Sequence, residues 1–171
     1  LKMKLNKYFY LIKMDYEKKT IKIYSGDRGI NFEKMLRKIL EKSKLKNDYI
    51  NQILKNGMPL YSQAFTHPTA DENNNYEPLE FLGDSIVNCV IVWYLSRRFP
   101  QLNWQDGVKI LARLKINLVS KKVFASFGNE LGFWKYVSAD METRDTKMKK
   151  MLEDVFEAFF GAIQKLIYSE I

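Results

Sequence analysis

Two pairs of acidic residues stand at helical spacing within apolar sequence. Glu80 and Asp84 are four residues apart, so on a helix their carboxylates share one face. Asp154 and Glu157 are three apart in a segment that is otherwise mainly apolar. We expect neither helix to supply a lysine or arginine partner at these positions, and like-charged carboxylates against apolar walls do not all stay ionised without a cation. Such oxygen ligands suit a hard divalent cation, Mg²⁺ or Mn²⁺.

A simpler interpretation is that these acids face solvent separately, as helix caps or salt-bridge partners. For either pair alone this is the more common outcome, because charged helix positions are usually exposed. Two such pairs, each set in apolar sequence, favour a shared site instead. The residues by themselves therefore predict a divalent-metal site on two helices and specify no reaction.

Other kinds of site are limited by the single cysteine, Cys89, and the single histidine, His67. One cysteine excludes an internal disulfide framework and a thiolate metal cluster, and one histidine excludes a zinc site built on several imidazoles. Cysteine usage this low predicts an intracellular, reducing compartment, most simply the cytoplasm. The apolar run over residues 86–95 is too short to span a bilayer, so we expect no membrane partner.

The elements that must position these acids are mainly helical. Apolar residues recur at helical spacing from residue 31, from 50 to about 56, from 77 to 98, from 107 to 127 and from 149 to 168. Two segments rich in tyrosine, phenylalanine and isoleucine, residues 8–15 and 20–24, predict a β-hairpin. We therefore predict two parts, a hairpin extension with its linker over residues 1–30 and a helical domain over residues 31–171.

Both acidic segments resemble motifs of the ribonuclease III family. Tyr76-Glu-Pro-Leu-Glu-Phe-Leu-Gly-Asp-Ser85 is similar to the family signature, and Leu152-Glu-Asp-Val-Phe-Glu-Ala-Phe-Phe-Gly-Ala162 to its second acidic motif. Phe65-Thr66-His67 resembles the family's upstream Thr-His element, and Arg113-Leu-Lys-Ile-Asn-Leu-Val-Ser120 its middle helix. The resemblance covers roughly residues 58–168 and implies an all-α endonuclease domain, here with a short N-terminal β-hairpin extension.

This resemblance implies a homodimeric endonuclease that hydrolyses double-stranded RNA with Mg²⁺, or with Mn²⁺ as a substitute. The products would carry 5′-phosphate and 3′-OH ends with two-nucleotide 3′ overhangs. It also implies a set of catalytic residues, of which the first four bind the metal and the fifth assists at the RNA or subunit boundary: Glu80, Asp84, Asp154, Glu157 and Glu77.

Several other residues carry expectations of their own. The resemblance places Phe81 at the dimer interface and gives His67 a structural hydrogen bond rather than a catalytic role. Cys89, Trp93 and Tyr94 lie in the most apolar helix, so we expect them in the core. Glu153 stands where the family usually has a small residue. We expect a plain surface glutamate, and the alternative is a negative charge beside the site that tunes metal affinity.

Two other functions stay open from the sequence. One is a catalytically inactive scaffold with the ribonuclease III fold, although such members typically lose acidic ligands that this chain keeps. The other is a protein that sequesters short RNA duplexes without cutting them. We find no segment that resembles a double-stranded-RNA-binding domain, so RNA affinity is expected from the domain's own surface.

The net charge of +8 is confined to one end of the chain. Residues 1–60 carry +9 and residues 61–171 carry −1. A polyanion partner would explain this asymmetry, as would a lysine-rich solvated surface. For the predicted hairpin two roles stay open: a clamp on the RNA duplex beside the cut, or an element packed on the helical body or across the dimer.

Overall fold

The computed structural model describes residues 21–169, within which the all-α prediction is confirmed. Two very short strands accompany the helices, and turns of 3₁₀-helix cover Pro100–Leu102 and Phe133–Tyr136. In chain order the described elements are β1 (Ile23–Tyr24), α1 (Ile30–Glu41), α2 (Asn47–Ala64), α3 (Glu77–Arg98), α4 (Gly107–Leu118), α5 (Lys121–Glu130), β2 (Ala139–Asp140) and α6 (Met141–Ser169).

The core forms around α6, against which α3, α5 and α2 pack. The ring of Phe159 of α6 lies in tilted contact with the rings of Tyr61 and Phe133, and that of Phe156 in tilted contact with the ring of Phe124 of α5. Lys147 has non-helical backbone angles and kinks α6 early. The long apolar part of α6 after this kink is therefore the central element of the domain.

Two glycines let α3 and α6 approach until their backbones touch. A Cβ atom at Gly83 of α3 would lie 1.8 Å from the carbonyl oxygen of Glu157, and one at Gly161 of α6 would lie 2.1 Å from the carbonyl oxygen of Leu79. No side chain fits at either position unless the helices separate. This crossing sets the distance between the acidic residues of the two helices.

Helix boundaries follow the prediction in α3 and at the start of α1, and depart from it in later helices. The predicted helix over residues 107–127 is two helices, because Ser120 adopts an extended conformation before α5 begins. α2 does not end near Gly57 but runs to Ala64 with Pro59 inside it. Gly57 serves packing, since a Cβ there would lie 2.5 Å from Leu166 Cδ1. α6 begins at Met141, and its part after the kink at Lys147 begins close to the predicted residue 149.

The first strand of the predicted hairpin, residues 8–15, lies outside the described residues, as does residue 20. The residues that follow are joined to the helical body. Ile23 and Tyr24 pair antiparallel with Asp140 and Ala139. The division of the chain at residue 30 stays a prediction.

Arg28 fixes this N-terminal segment to the body. Its guanidinium donates to the carbonyl oxygens of Ser62 and Phe65 at 2.7 Å and of Tyr136 at 2.8 Å. Burial lowers the pKa of Arg28 to about 10, which still leaves it charged at neutral pH. Because its acceptors are the last carbonyls of α2 and a turn far along the chain, one side chain joins three segments.

α3 is long and apolar enough to cross a membrane by length and composition, a test that core helices also pass. The exclusion based on residues 86–95 alone is therefore too strict. In this fold the buried residues of α3, Leu79, Gly83, Val87 and Leu95, lie at multiples of four positions along one stripe. That stripe faces protein, because α3 packs most extensively on α6.

Candidate active site

Three of the predicted ligands come together where α3 crosses α6. Glu80 of α3 and Asp154 and Glu157 of α6 each offer a carboxylate oxygen, and these three atoms lie within 4.8 Å of one another. Asp154 and Glu157 are buried, whereas Glu80 is half-buried. We call these three residues the carboxylate centre. These three residues therefore do not face solvent separately.

The other two predicted site residues lie outside that group. Asp84 is exposed, and its carboxylate accepts a hydrogen bond from Asn88 Nδ2 at 2.8 Å. Its negative charge nevertheless reaches Glu157, whose pKa it helps to raise. Glu77 is exposed in the first turn of α3, and its backbone N–H donates to Asn75 Oδ1 at 3.1 Å. Asp84 thus borders the carboxylate centre, and Glu77 lies at the start of the same helix.

A lysine in contact with these acids contradicts the expectation that neither helix supplies a basic partner. Lys150 of α6 places Nζ 2.5 Å from Asp154 Oδ1 and 3.6 Å from Glu80 Oε1. It stands four residues before Asp154, the spacing at which helical side chains meet. The sequence therefore held the signal for this contact.

Tyr76 is a second contributor that the sequence analysis did not identify. Its buried hydroxyl donates to Asp154 Oδ2 at 3.0 Å, and burial followed by the charge of Asp154 raises its pKa, so the hydroxyl keeps its proton. The edge of the His67 ring packs on Tyr76 at 5.6 Å between centroids. His67 Nδ1 accepts from the Thr69 backbone N–H at 3.0 Å, in keeping with a structural role.

Glu153 is buried rather than on the surface, contrary to expectation. Its two oxygens lie 3.7 Å from Lys121 Nζ and 3.9 Å from Lys150 Nζ. Burial raises the pKa of Glu153, and the two lysines oppose that change. Glu153 therefore adds a further acidic group beside the carboxylate centre, and this group lies between the ammonium groups of Lys121 and Lys150.

The carboxylate centre is short of positive charge in spite of Lys150. Burial, followed by the charges of Asp84 and Glu153, raises the pKa of Glu157 to about 8. Burial and the charge of Asp154 raise the pKa of Glu80 to about 7, against the opposing effect of Lys150. Carboxylates that retain protons near neutral pH gain by binding a cation, and an all-oxygen donor set suits Mg²⁺ or Mn²⁺. The residues present fit a divalent ion.

The opposite side of α3 is apolar and uncovered. Phe81 is 82% exposed, so it does not belong to the core of this chain. Trp93 and Tyr94 are 64% and 58% exposed and Cys89 is also exposed, so the prediction that they are core residues is wrong. None of these side chains belongs to the buried stripe of α3 that packs on α6.

Comparison with known proteins identifies the family to which this chain belongs. The model of the ribonuclease III domain matches residues 77–164, which is half of the chain and includes all five predicted site residues. This chain belongs to the ribonuclease III family. The prediction drawn from its two acidic motifs is thereby confirmed.

Relatives within the ribonuclease III family come from viruses and bacteria. A ribonuclease 3-type protein of Invertebrate iridescent virus 6 is 43% identical over 87% of this chain and 51% of its own length. The ribonuclease 3 of Lactobacillus acidophilus is 37% identical over 71% of this chain and 54% of its own length. The chain therefore spans about half the length of these curated relatives.

Solved ribonuclease III structures match the fold. The nuclease domain of ribonuclease III from Campylobacter jejuni, in a structure that concerns a region involved in that protein's dimer formation, superposes with a TM-score of 0.59 at 27% identity. The match covers 80% of this chain and 89% of that domain. The helical architecture around the carboxylate centre is thus that of a ribonuclease III nuclease domain.

Proposed function

We propose that this chain is an endoribonuclease that hydrolyses double-stranded RNA with Mg²⁺ and leaves 5′-phosphate and 3′-OH ends with two-nucleotide 3′ overhangs. One observation carries the proposal: Glu80, Asp154 and Glu157 converge within 4.8 Å on a domain of the ribonuclease III family. Removal of these carboxylates from solvent and the repulsion between them favour binding of a cation. A metal-dependent nuclease needs such a site for its divalent ion.

The residues of the chain take separate roles in this proposal. Glu80, Asp154 and Glu157 would hold the ion, with Asp84 beside them to complete its surroundings. When bound, a divalent ion lowers the pKa of a water molecule and stabilises negative charge on the phosphate oxygens. The Tyr76 hydroxyl donates to Asp154 Oδ2, whereas Asp154 Oδ1 contacts Lys150, so the two oxygens have different partners.

Recognition of RNA is assigned to the shape of the duplex rather than to its bases. A-form duplexes are distinguished by backbone geometry and 2′-hydroxyl contacts, which need no base-specific pocket. Glu77 lies exposed at the entrance to α3, where it can contact the RNA or subunit boundary without ligating the ion. Because Glu80 is only half-buried, the centre is open to a phosphate from solvent.

A cleavage assay with matched variants tests this proposal. Long duplex RNA is incubated with the purified chain, with and without Mg²⁺, and the product ends are mapped. Glu157→Gln removes one charged ligand and is expected to slow cutting by more than about 100-fold while duplex binding persists, because most RNA affinity comes from phosphate contacts elsewhere. Glu41→Gln, an exposed glutamate at the end of α1, is the control and is expected to cut normally.

The outcomes of this assay separate the alternatives. Cleavage at the wild-type rate by Glu157→Gln in Mg²⁺ would contradict the assigned site. Tight duplex binding by the wild-type chain with no cleavage in Mg²⁺ or Mn²⁺ would instead indicate a sequestering protein or an inactive scaffold.

We also propose that the chain acts as a homodimer through the uncovered side of α3. Phe81 and Trp93 are exposed there, and the neighbouring α4 buries only Gly107 in the single chain. Between the two helices lies a groove of about 360 Å³ lined partly by Val92 and Leu111. Large apolar side chains exposed on two neighbouring helices mark an interaction surface, and a second copy related by two-fold symmetry would cover them on both chains.

Light scattering at micromolar concentration is expected to give about twice 20.3 kDa for the wild-type chain. Phe81→Asp places a charge in the proposed interface and should yield a monomer, whereas Tyr168→Asp, which alters an exposed tyrosine near the end of α6, should remain dimeric. Cys89, the single cysteine, provides an independent signal because its labelling by a thiol reagent should be faster in the monomer. A wild-type monomer that makes double-strand cuts would contradict the dimer.

A further inference from the structure

Lys150 occupies the electrostatic position that a divalent ion would take. Its ammonium lies within 4 Å of both Asp154 and Glu80, two of the three residues of the carboxylate centre. The side chain is 49% exposed, and an outward displacement would take its ammonium into solvent. A lysine carries a compact charge on a flexible four-carbon chain, which makes such a displacement inexpensive.

Glu153 offers the same ammonium a second acceptor outside the carboxylate centre. Its Oε2 lies 3.9 Å from Lys150 Nζ, and its Oε1 is held by Lys121 at 3.7 Å. Glu153 precedes Asp154 directly in α6 and is 6% exposed. A buried carboxylate is stable only when it is paired, so a site for a lysine ammonium is already present there.

Asp154 Oδ1 cannot ligate a divalent ion while it contacts the Lys150 ammonium. Nζ lies 2.5 Å from that oxygen, and two cations bound to one oxygen would repel strongly. Binding of the ion therefore requires Lys150 to leave Asp154. If it keeps its contact with Glu153, no buried charge is left unpaired in either state.

We propose that Lys150 is an exchangeable counter-ion, which neutralises Asp154 and Glu80 in the metal-free protein and is retained by Glu153 when a divalent ion takes its place. The inference rests on the proposed metal-dependent function. It assigns Lys150 and Glu153 a positioning role, with the lysine competing against the ion rather than assisting its binding.

Mn²⁺ titration of the metal-free protein by calorimetry, without RNA, tests the competition. Lys150→Met is expected to bind Mn²⁺ at least about tenfold more tightly, because one unit charge removed about 4 Å away changes binding by more than this at the effective dielectric of a protein surface. Its melting temperature in EDTA should fall, since the acids lose their cation. Lys149→Met, the exposed neighbour, should change neither quantity.

The role of Glu153 is tested by a double-mutant cycle in the same titration. If Glu153 acts through Lys150, Glu153→Gln should weaken Mn²⁺ binding at least about threefold more in the wild-type background than in Lys150→Met. An equal effect in both backgrounds would show that Glu153 acts only through its own charge, and would overturn its role as the acceptor. Lys150→Gln serves in place of Lys150→Met if the latter does not fold.

This experiment distinguishes the inference from the function on which it rests. Mn²⁺ binding that is lost in Glu157→Gln, together with unchanged or weaker binding in Lys150→Met, would overturn the counter-ion role and leave the metal site standing. Absence of Glu157-dependent Mn²⁺ binding in the wild-type protein would overturn both.

Discussion

Glu157 retains a proton in the metal-free protein at pH values where an ordinary glutamate is ionised. Burial and the charges of Asp84 and Glu153 raise its pKa to about 8, compared with about 4.3 for an unperturbed glutamate. Between these values the folded chain binds more protons at this residue than the unfolded chain does. Its contribution to the free energy of unfolding is therefore fully present at low pH and is lost as the pH rises toward 8.

We therefore expect Glu157→Gln, measured in EDTA by denaturant unfolding, to gain stability relative to the wild-type chain as the pH rises from about 5 to about 8. Comparison with the wild type is needed because His67 acts in the opposite direction: burial lowers its pKa, so its contribution improves as the pH rises. Glu41→Gln should show a constant difference from wild type. A constant difference for Glu157→Gln as well would contradict the raised pKa of Glu157.

At the residue scale, local spacing predicts which acids share a helix face, but it predicts neither the meeting of Glu80 with Asp154 across two helices nor the surroundings of these acids. The separations of Glu80 from Asp84 and of Asp154 from Glu157 are visible in the sequence, as is that of Lys150 from Asp154. The hydrogen bond from Tyr76 to Asp154 joins residues 78 positions apart and has no local signal. The exposure of Trp93 was mispredicted because the apolar pattern of α3 serves two surfaces, one against α6 and one outward.

At the scale of the secondary-structure elements, the site depends on the crossing of α3 and α6. Gly83→Ala would place a methyl group against the Glu157 carbonyl and push the helices apart. Alanine normally stabilises a helix relative to glycine by about 1 kcal/mol. Here we expect the opposite sign, a loss of about 1–3 kcal/mol or more in the free energy of unfolding, with cleavage reduced because Glu80 moves away from Asp154.

A second glycine-to-alanine substitution serves as the control for the sign of this change in the free energy of unfolding. At Gly29, before α1, an added Cβ has its nearest contact at 3.7 Å, which is ordinary van der Waals distance. Gly29→Ala should therefore be close to neutral in the same denaturant experiment. A Gly83→Ala chain as stable and as active as the wild type would show that the helices need not touch there.

Element boundaries were predictable where local chemistry and packing agree. α3 begins with acids and Pro78 and ends with Arg97 and Arg98 before Pro100, all of which favour those ends. α2 breaks the local rules, because Gly57 and Pro59 suggest a helix end but lie inside the helix. Packing of Leu166 against Gly57 overrides the local preference there, and such a contact is not visible in sequence.

At the scale of the whole molecule, the contribution of the basic residues 1–20 to RNA binding can be tested without removing the contacts that join the N-terminal segment to the body. Residues 1–20 carry six lysines and two acids, and they precede β1 and Arg28, which join the body. Removal of residues 1–20 alone, with Tyr24 and Arg28 retained, therefore tests the duplex clamp better than removal of the whole predicted extension.

We expect this truncation to keep its melting temperature and to show a shallower dependence of duplex affinity on salt, by about two or more in the log–log slope per dimer. Each phosphate that the protein neutralises adds roughly 0.9 to that slope, so the decrease measures how many phosphates residues 1–20 neutralise. An unchanged slope in a folded chain would exclude the clamp. A lower melting temperature would indicate instead that these residues pack on the body or across the dimer.

The hydrogen bonds of Arg28 have acceptors that are synthesised at different times. As the chain leaves the ribosome, the acceptors at Ser62 and Phe65 follow Arg28 after 34 and 37 residues, but the carbonyl of Tyr136 comes only after 108. Tyr24 likewise waits for the Lys135 carbonyl and for the guanidinium of Arg144, which stacks 4.1 Å from its ring centroid. In a nascent chain the bonds of Arg28 to the end of α2 can therefore form early, whereas the contacts of Arg28 and Tyr24 with residues 135–144 form only as α6 begins to emerge. Asp154 and Glu157 lie further along α6, so these contacts of the N-terminal segment and the carboxylate centre both depend on the synthesis of the same helix.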